Sequence, residues 1–329
     1  MGRDQLWSYI LRRLLWVPFI LLTVSLVTFA LGRFGPGDPV RVLAGQRADP
    51  ETIQRIRQER GLDDNFFVQY ARYLRGIFRG DLGISFKYYG LPVTEVVLPR
   101  LWVTFQYNLA ALVLVFALGI PAGVWAATQQ GTWRDPLIMG TLLALAALPA
   151  VLVVPLLQYV FSLRLGWLPT GGWEVREFFG WLEVGLFSKT IVLPMLALGL
   201  PGAAGVARLT RAQTLEVLGE DYVRTARAKG LGERMVLMRH VLRNALLPLV
   251  TLMGFAMAAL LSGSIILETM LGIPGIGSYA FEAVFARDYD GIMAVVLMGA
   301  TAFVVANLVV DVTYAFIDPR VRLGGSPQA

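Results

Sequence analysis

Apolar and polar positions in this chain come in long blocks rather than alternating residue by residue. Apolar runs fall at residues 14–31, 101–127, 137–161, 190–207, 245–267 and 291–316. Each is close to the length of about 20 residues that a helix needs to cross a bilayer. The pattern predicts six transmembrane helices. Arg12 and Arg13 precede the first run, and Lys and Arg collect on the cytoplasmic side of membranes, so the N-terminus is expected inside. Six spans bring the C-terminus back to the same side. The first run is longer than a secretory h-region and has no clear small-residue cleavage site, so it reads as a retained helix.

The polar stretches carry their own helix signals. Residues 33–99 are expected outside, opening with the turn cluster Pro36-Gly37-Asp38-Pro39. Asp49-Pro50-Glu51 has the residues of a helix start, a capping Asp, Pro at the first position and an acid in the first turn, with Gly61 to close it. A second helix over residues 65–78 puts Phe66, Tyr70, Tyr73, Leu74 and Ile77 on one face. That face needs cover, from the outer ends of the spans or from a second subunit. Gly80-Asp81-Leu82-Gly83 ends it. Residues 164–189 form a second outer segment, rich in Trp and Phe, where a re-entrant or interfacial helix is expected. Pro149 and Pro155 fall inside the third run and predict kinks there. Gly199, Gly202 and Gly205 in the fourth run have the small-residue spacing that lets helix backbones approach closely. Residues 268–290 are expected outside.

Composition narrows the class. Hydrophobic residues make up 56% of the 329 and charged residues 16%, against about a quarter charged in ordinary soluble domains. The net charge of +6 would fit nucleic acid, but basic inner loops of a membrane protein account for it. There is no Cys and a single His, His240, so disulfides, thiolate metal sites and His-dependent triads are not expected. No G-x-x-x-x-G-K-[ST] phosphate loop is present, so the chain should not hydrolyse ATP by itself. The spans also lack the ionisable relay of a proton-coupled carrier. Asp311 and Asn307 lie toward the inner end of the last run, and Gln158 sits deeper in the third. Gln158 and Asn307 are the candidate residues for a translocation path, with helix–helix packing as the competing role for each.

The one long polar stretch on the predicted inner side is residues 208–244, with eight basic residues from Arg208 to Arg243. It is long enough to hold helices of its own and is punctuated by Gly230 and Gly232. Taken alone, it is either a docking element for a soluble partner or a basic loop that fixes topology by charge. Its Tyr-Val-Arg-Thr-Ala-Arg-Ala-Lys-Gly, residues 222–230, followed by Leu246-Leu247-Pro248, resembles the cytoplasmic coupling motif of binding-protein-dependent ABC import permeases. The general motif is E-A-A, three residues, G, then a spacer ending in an apolar-Pro step. Aligned on Gly230, Arg224-Thr225-Ala226 takes the E-A-A positions and only Ala226 matches. Both that departure and the longer spacer look like the peptide-transporter branch. Gly61-Leu62-Asp63 with Val68-Gln69-Tyr70, Gly80 to Ser85, Gly166-Trp167-Leu168-Pro169, Gly275-Ile276-Gly277 and Asp318-Pro319-Arg320 are similar to the dipeptide/oligopeptide permease subunit that carries the larger outer loop.

The resemblance implies an all-α, six-span permease of the type I ABC importer fold, with both termini cytoplasmic and a small extracytoplasmic helical insertion. It divides the chain into residues 1–32 (first span), 33–99 (insertion) and 100–329 (five-span core). Tyr222, Arg224, Thr225, Ala226, Arg227, Ala228, Lys229, Gly230 and Leu231 would couple to an ATPase. Ala226, Ala228 and Gly230 would keep one side low for close approach, and Arg224, Arg227 and Lys229 would meet acidic groups. The implied partners are a second permease, two ATP-binding subunits that hold ATP and Mg, an extracytoplasmic binding protein and the lipid bilayer, with no nucleic acid. The implied place is the inner membrane of a bacterium or an archaeon, and the cargo a di- or oligopeptide, glutathione or a metal chelate. A stand-alone secondary transporter or channel would need intramembrane charges and an internal repeat. A membrane-embedded enzyme would need clustered acids, His or a nucleophile.

Overall fold

The computed structural model describes residues 3–34, 49–59, 61, 63–85, 87–88, 90–178 and 182–317. The Pro36–Pro39 turn, Leu62, the tail with Arg320 and Arg322, and the side chain of Asp311 lie outside the described residues. Among the described residues, four helices are long and apolar enough to cross a membrane, and two bent helix pairs bring the number to six if each pair is one span. The chain forms two compact units, and helix α4 (Val93–Thr128) contributes its first turns to one and the remainder to the other.

The first unit holds Met1–Thr104, Leu261–Ile265 and Pro274–Ala329. Helix α1 (Arg3–Phe34) and the last helix, Tyr289–Ile317, run against each other, and a Cβ on Gly32 would stand 3.2 Å from the Met293 sulfur. Helix α2 (Pro50–Glu59) starts at the predicted proline. Gly61 follows with φ +58° and donates to Gln58 O. Helix α3 (Phe66–Phe78) is capped by Asn65, whose side chain accepts from Phe67 N at 3.0 Å. The cover for its aromatic face comes from α1. Phe29 packs against Phe66, Tyr70 and Tyr73, and the Tyr70 hydroxyl meets Ser25 Oγ at 2.8 Å. A buried cluster of Val93, Val97, Ile276, Tyr279 and Ala294 joins the start of α4 to the segment that precedes the last helix and to the last helix itself.

The second unit holds Phe105–Leu260 and Ile266–Ile273. The expected third span is not one straight helix. Helix α5 (Arg134–Ala146) and helix α6 (Ala150–Leu157, continued by a wide π-helical turn over Gln158–Arg164) meet at 100°. Pro149 caps α6 in an extended conformation, and its missing N–H together with the restriction it places on Leu148 breaks the ladder there. The expected interfacial helix is a two-stranded hairpin instead, β1 (Arg176–Phe178) against β2 (Leu182–Val184). Helix α7 (Val192–Leu218) runs well past residue 207, so the first part of the expected basic loop is helix. Helix α8 (Asp221–Ala228) follows. Helix α9 (Glu233–Ala245) then bends by 50° into helix α10 (Leu247–Ala258), where Pro248 sits in the first turn. The fifth apolar run therefore ends its helix short of residue 267. The short helix α11 (Ile265–Leu271) begins after a turn, and Gly272, at φ +63°, closes it. Helix α12 (Ile276–Ala286) and helix α13 (Tyr289–Ile317), both of the first unit, are the last described elements.

The glycine stripe of α7 acts as read, with one exception. A Cβ on Gly199 would meet Leu114, and one on Gly202 would meet Val115 at 2.6 Å, but nothing lies within 4 Å of Gly205. Glycines of the facing helix α4 approach α7 as closely, and a Cβ on Gly123 would collide with the Ala207 carbonyl. A Cβ on Gly119 would stand 2.7 Å from Val206 and 2.9 Å from the Ala203 carbonyl.

Candidate coupling site

Helix α7 ends at Leu218, and Gly219 N donates to Glu216 O. The chain turns through Glu220 in extended geometry and enters α8 with Asp221 in the first turn, where a negative charge suits the helix dipole. Val223 and Ala226, three residues apart, face the same way and are buried against Val236 and Val241 of α9. Val217, Leu218, Leu231 and Leu237 close the sides of this small core. Gly230 stops the helix at φ +78°. Its N–H donates to Arg227 O at 2.9 Å, and Leu231 N–H reaches Ala226 O at 3.4 Å, the two bonds of a left-handed helix stop with an apolar residue folded back on the last turn.

The nine predicted coupling residues gather here, but on different faces. Ala226 points inward, because it shares the Val223 stripe, and so offers no low profile to a partner. Leu231 is half-buried over the same core. Arg227 is engaged within the loop, its guanidinium donating to both oxygens of Glu233 at 2.8 and 3.2 Å. Arg224 donates to Gly219 O at 3.0 Å and pairs with Asp221 at 3.4 Å. Thr225 Oγ1 donates to Asp221 O, and the Tyr222 hydroxyl accepts from Asn244 Nδ2 at 2.8 Å, tying α8 to α9. Ala228, Lys229 and Gly230 are left as an exposed edge at the end of α8.

The two path candidates fall in different units. Gln158, in the π-helical turn after Pro155, donates to Thr170 O at 2.7 Å. Asn307 donates to Phe303 O of its own helix at 2.9 Å. Two polar groups escaped the sequence reading. Arg211, on the polar continuation of α7, forms a two-pronged pair with Asp135 at the start of α5. Glu268, expected at the start of an outer loop, is fully buried in α11 and accepts from the Tyr107 hydroxyl at 2.6 Å. Asp135 stands before Pro136 and reads as a turn acid, while Glu268 directly follows an apolar run, which is the only hint of its burial. Among the described residues, no three His, Cys, Asp or Glu side chains stand close enough to share a metal ion.

Comparison with known proteins adds to this geometry. Residues 119–323 match the family model "binding-protein-dependent transport system inner membrane component", and residues 6–105 match the model for the N-terminal part of such membrane components. The dipeptide transport system permease protein DppB of Alkalihalophilus pseudofirmus is 36% identical, over 96% of this chain and 99% of the relative. The glutathione transport system permease protein GsiC of Salmonella paratyphi A is 40% identical, again over 96% of this chain and 99% of the relative. Among solved structures, the inward-facing MetNI methionine ABC transporter aligns with 66% of this chain and 95% of its own, at 14% identity and a TM-score of 0.49.

Proposed function

The chain belongs to the family of binding-protein-dependent transport system inner membrane components, and from that premise we propose that it is the permease subunit of an ATP-driven importer of short peptides. The observation that carries the coupling role is α8 itself. It is a short helix seated on its own apolar core and stopped by a glycine, with one edge left open at Ala228, Lys229 and Gly230. A helix of this kind can enter a groove on a soluble subunit. Gly230 has open space where a Cβ would stand, so a partner can approach its backbone closely. ATP and Mg belong to two partner ATPase subunits in this reading. A second permease completes the path, and an extracytoplasmic binding protein delivers cargo.

Six spans with both termini cytoplasmic place α8 on the ATPase side, in the inner membrane of a bacterium. Residues 33–99 then form the extracytoplasmic insertion. Closure of the ATPases would move α8, and α7 and α9, anchored to it through the Val223 core and the Asn244–Tyr222 bond, would follow. The helices would thereby expose a central path to alternate sides. The dipeptide and glutathione relatives support a cargo with a peptide backbone and charged ends.

The test is Gly230→Asp in the importer reconstituted with its ATPases. A side chain at φ +78° carries backbone strain of about 1 kcal/mol, but Asp is among the residues that tolerate the left-handed region. Among the described residues nothing stands in its way, so the chain should still fold and insert while ATP hydrolysis no longer drives uptake. Uptake at the normal rate would remove α8 from the coupling role.

A further inference from the structure

Helix α3 carries two apolar stripes and a basic one, and among the described residues only the first apolar stripe packs against α1. Phe66, Tyr70, Tyr73 and Ile77 repeat at helical spacing, and the first three pack on Phe29 of α1. Phe67, Ala71 and Phe78 form a second stripe with the same spacing, and Leu74, half-buried, lies on its border with the first. The second stripe is apolar and largely open, with Phe67 74% and Phe78 84% exposed. Arg72, Arg75 and Arg79 form the third, on the side away from the apolar stripe's core-facing flank. Arg72 is braced by Asp64 at 2.6 Å, while Arg75 and Arg79 are exposed.

What covers the apolar stripe follows from what adjoins it. Leu31 and Phe34, at the end of the first span, are 67% and 76% exposed, as lipid-facing residues of a span must be. Phe34 stacks on Phe66 at 5.6 Å, and Phe66 meets Phe67 edge-on at 5.6 Å. The lipid-facing surface of α1 therefore continues without a break onto the apolar stripe of α3. A short helix with one apolar sector, one basic sector and aromatic rings at the boundary has the build of a segment lying in a membrane interface.

We propose that α3 lies in the bilayer interface on the side where α1 ends. The Phe67–Ala71–Phe78 stripe sits among acyl chains, and Arg75 and Arg79 reach phospholipid phosphates. The insertion is then anchored to the lipid surface beside the first span. It is not a free-standing soluble lobe, and Phe66, Tyr70 and Tyr73 are already taken by α1. This depends on α1 being a span and not on the cargo or the coupling role.

The chain has no native Cys, so a single introduced Cys is unique within it, and it is labelled before the partner subunits are added. Phe67→Cys, Ala71→Cys and Phe78→Cys would each carry a nitroxide in the complete importer in liposomes, with Arg75→Cys as the headgroup-side reference. Collisions with oxygen, which partitions into lipid, are compared with collisions with a water-soluble nickel chelate. Oxygen should dominate at 67, 71 and 78, and the nickel chelate should gain at 75. Nickel dominating at 67 and 78 would overturn the proposal in favour of a water-exposed helix. Shielding from both reagents there, with an immobilised label, would overturn it in favour of a protein partner. Ala71→Cys removes no ring, so it reads the stripe even if a Phe variant fails to assemble. ATP-driven uptake measured on the same liposomes tests the importer reading separately.

Discussion

Arg211 donates to Asp135 through two parallel hydrogen bonds, Nε to Oδ1 at 2.7 Å and Nη2 to Oδ2 at 2.5 Å, binding α7 to the start of α5. The carboxylate side chain is 9% exposed and the guanidinium 29%. Removing one partner leaves the other charge poorly solvated. Asp135→Ala should therefore cost about 3 kcal/mol, the low end for a broken buried pair. The double variant with Arg211→Ala should cost clearly less than the sum of the two single changes. Denaturation midpoints in detergent read both. Additive losses would mean that the two groups do not stabilise each other.

Packing between α4 and α7 makes a prediction about which glycines matter. A methyl at Gly119 would press on Val206 and on the Ala203 backbone, which cannot swing aside. Gly119→Ala should lose about 1–3 kcal/mol by overpacking. Gly205→Ala meets nothing within 4 Å and should gain up to about 1 kcal/mol from the better helix former. Thermal midpoints moving in opposite directions would bear this out, and equal losses at both positions would contradict it.

Much of this was legible in the residues, for local reasons. Pro50 opening α2 and Gly230 stopping α8 are chemistry within a few residues of chain. Four of the apolar runs are single helices long enough to span, because burying a backbone in lipid demands long helices, and the third and fifth runs are bent helix pairs. What was not legible depended on packing. Hydropathy ends the fourth run near residue 207, yet α7 continues to Leu218, because its polar continuation is held by Arg211–Asp135 and by the Val217 and Leu218 contacts. Pro149 promised a kink, but a proline alone does not set an angle of 100°. The basic residues of α8 looked alike on paper. Only the fold shows that Arg227 is held by Glu233 while Lys229 stands on the open edge.

The core beneath α8 should be separable from its open edge. Val223 is fully buried against Val236 and Val241. Val223→Ala should remove about 2 kcal/mol of local packing and speed amide hydrogen exchange across residues 223–231. Lys229→Ala touches no part of that core and should leave the exchange unchanged. If both variants exchange like the parent, α8 does not depend on this core for its order.

Acid should loosen the polar cluster that links the segment before α4 to α12. Lys87 forms an ion pair with Glu282, and the Tyr88 hydroxyl donates to the same carboxylate at 3.1 Å. Burial alone would raise the Glu282 carboxyl. Lys87 outweighs it, with help from Tyr88 and Arg100, and holds the group below its ordinary value of 4.5. With the folded value depressed, the unfolded chain takes up the proton first as pH falls. The stabilisation is thus complete above 4.5 and is lost as pH drops through the folded value. Glu282→Gln cannot ionise, so it should melt below the parent at neutral pH, and the gap should close in acid. Thermal midpoints of both proteins from about pH 7 to pH 3 test this. A gap that stays constant over that range would mean that Glu282 contributes through its shape and hydrogen bonds rather than its charge.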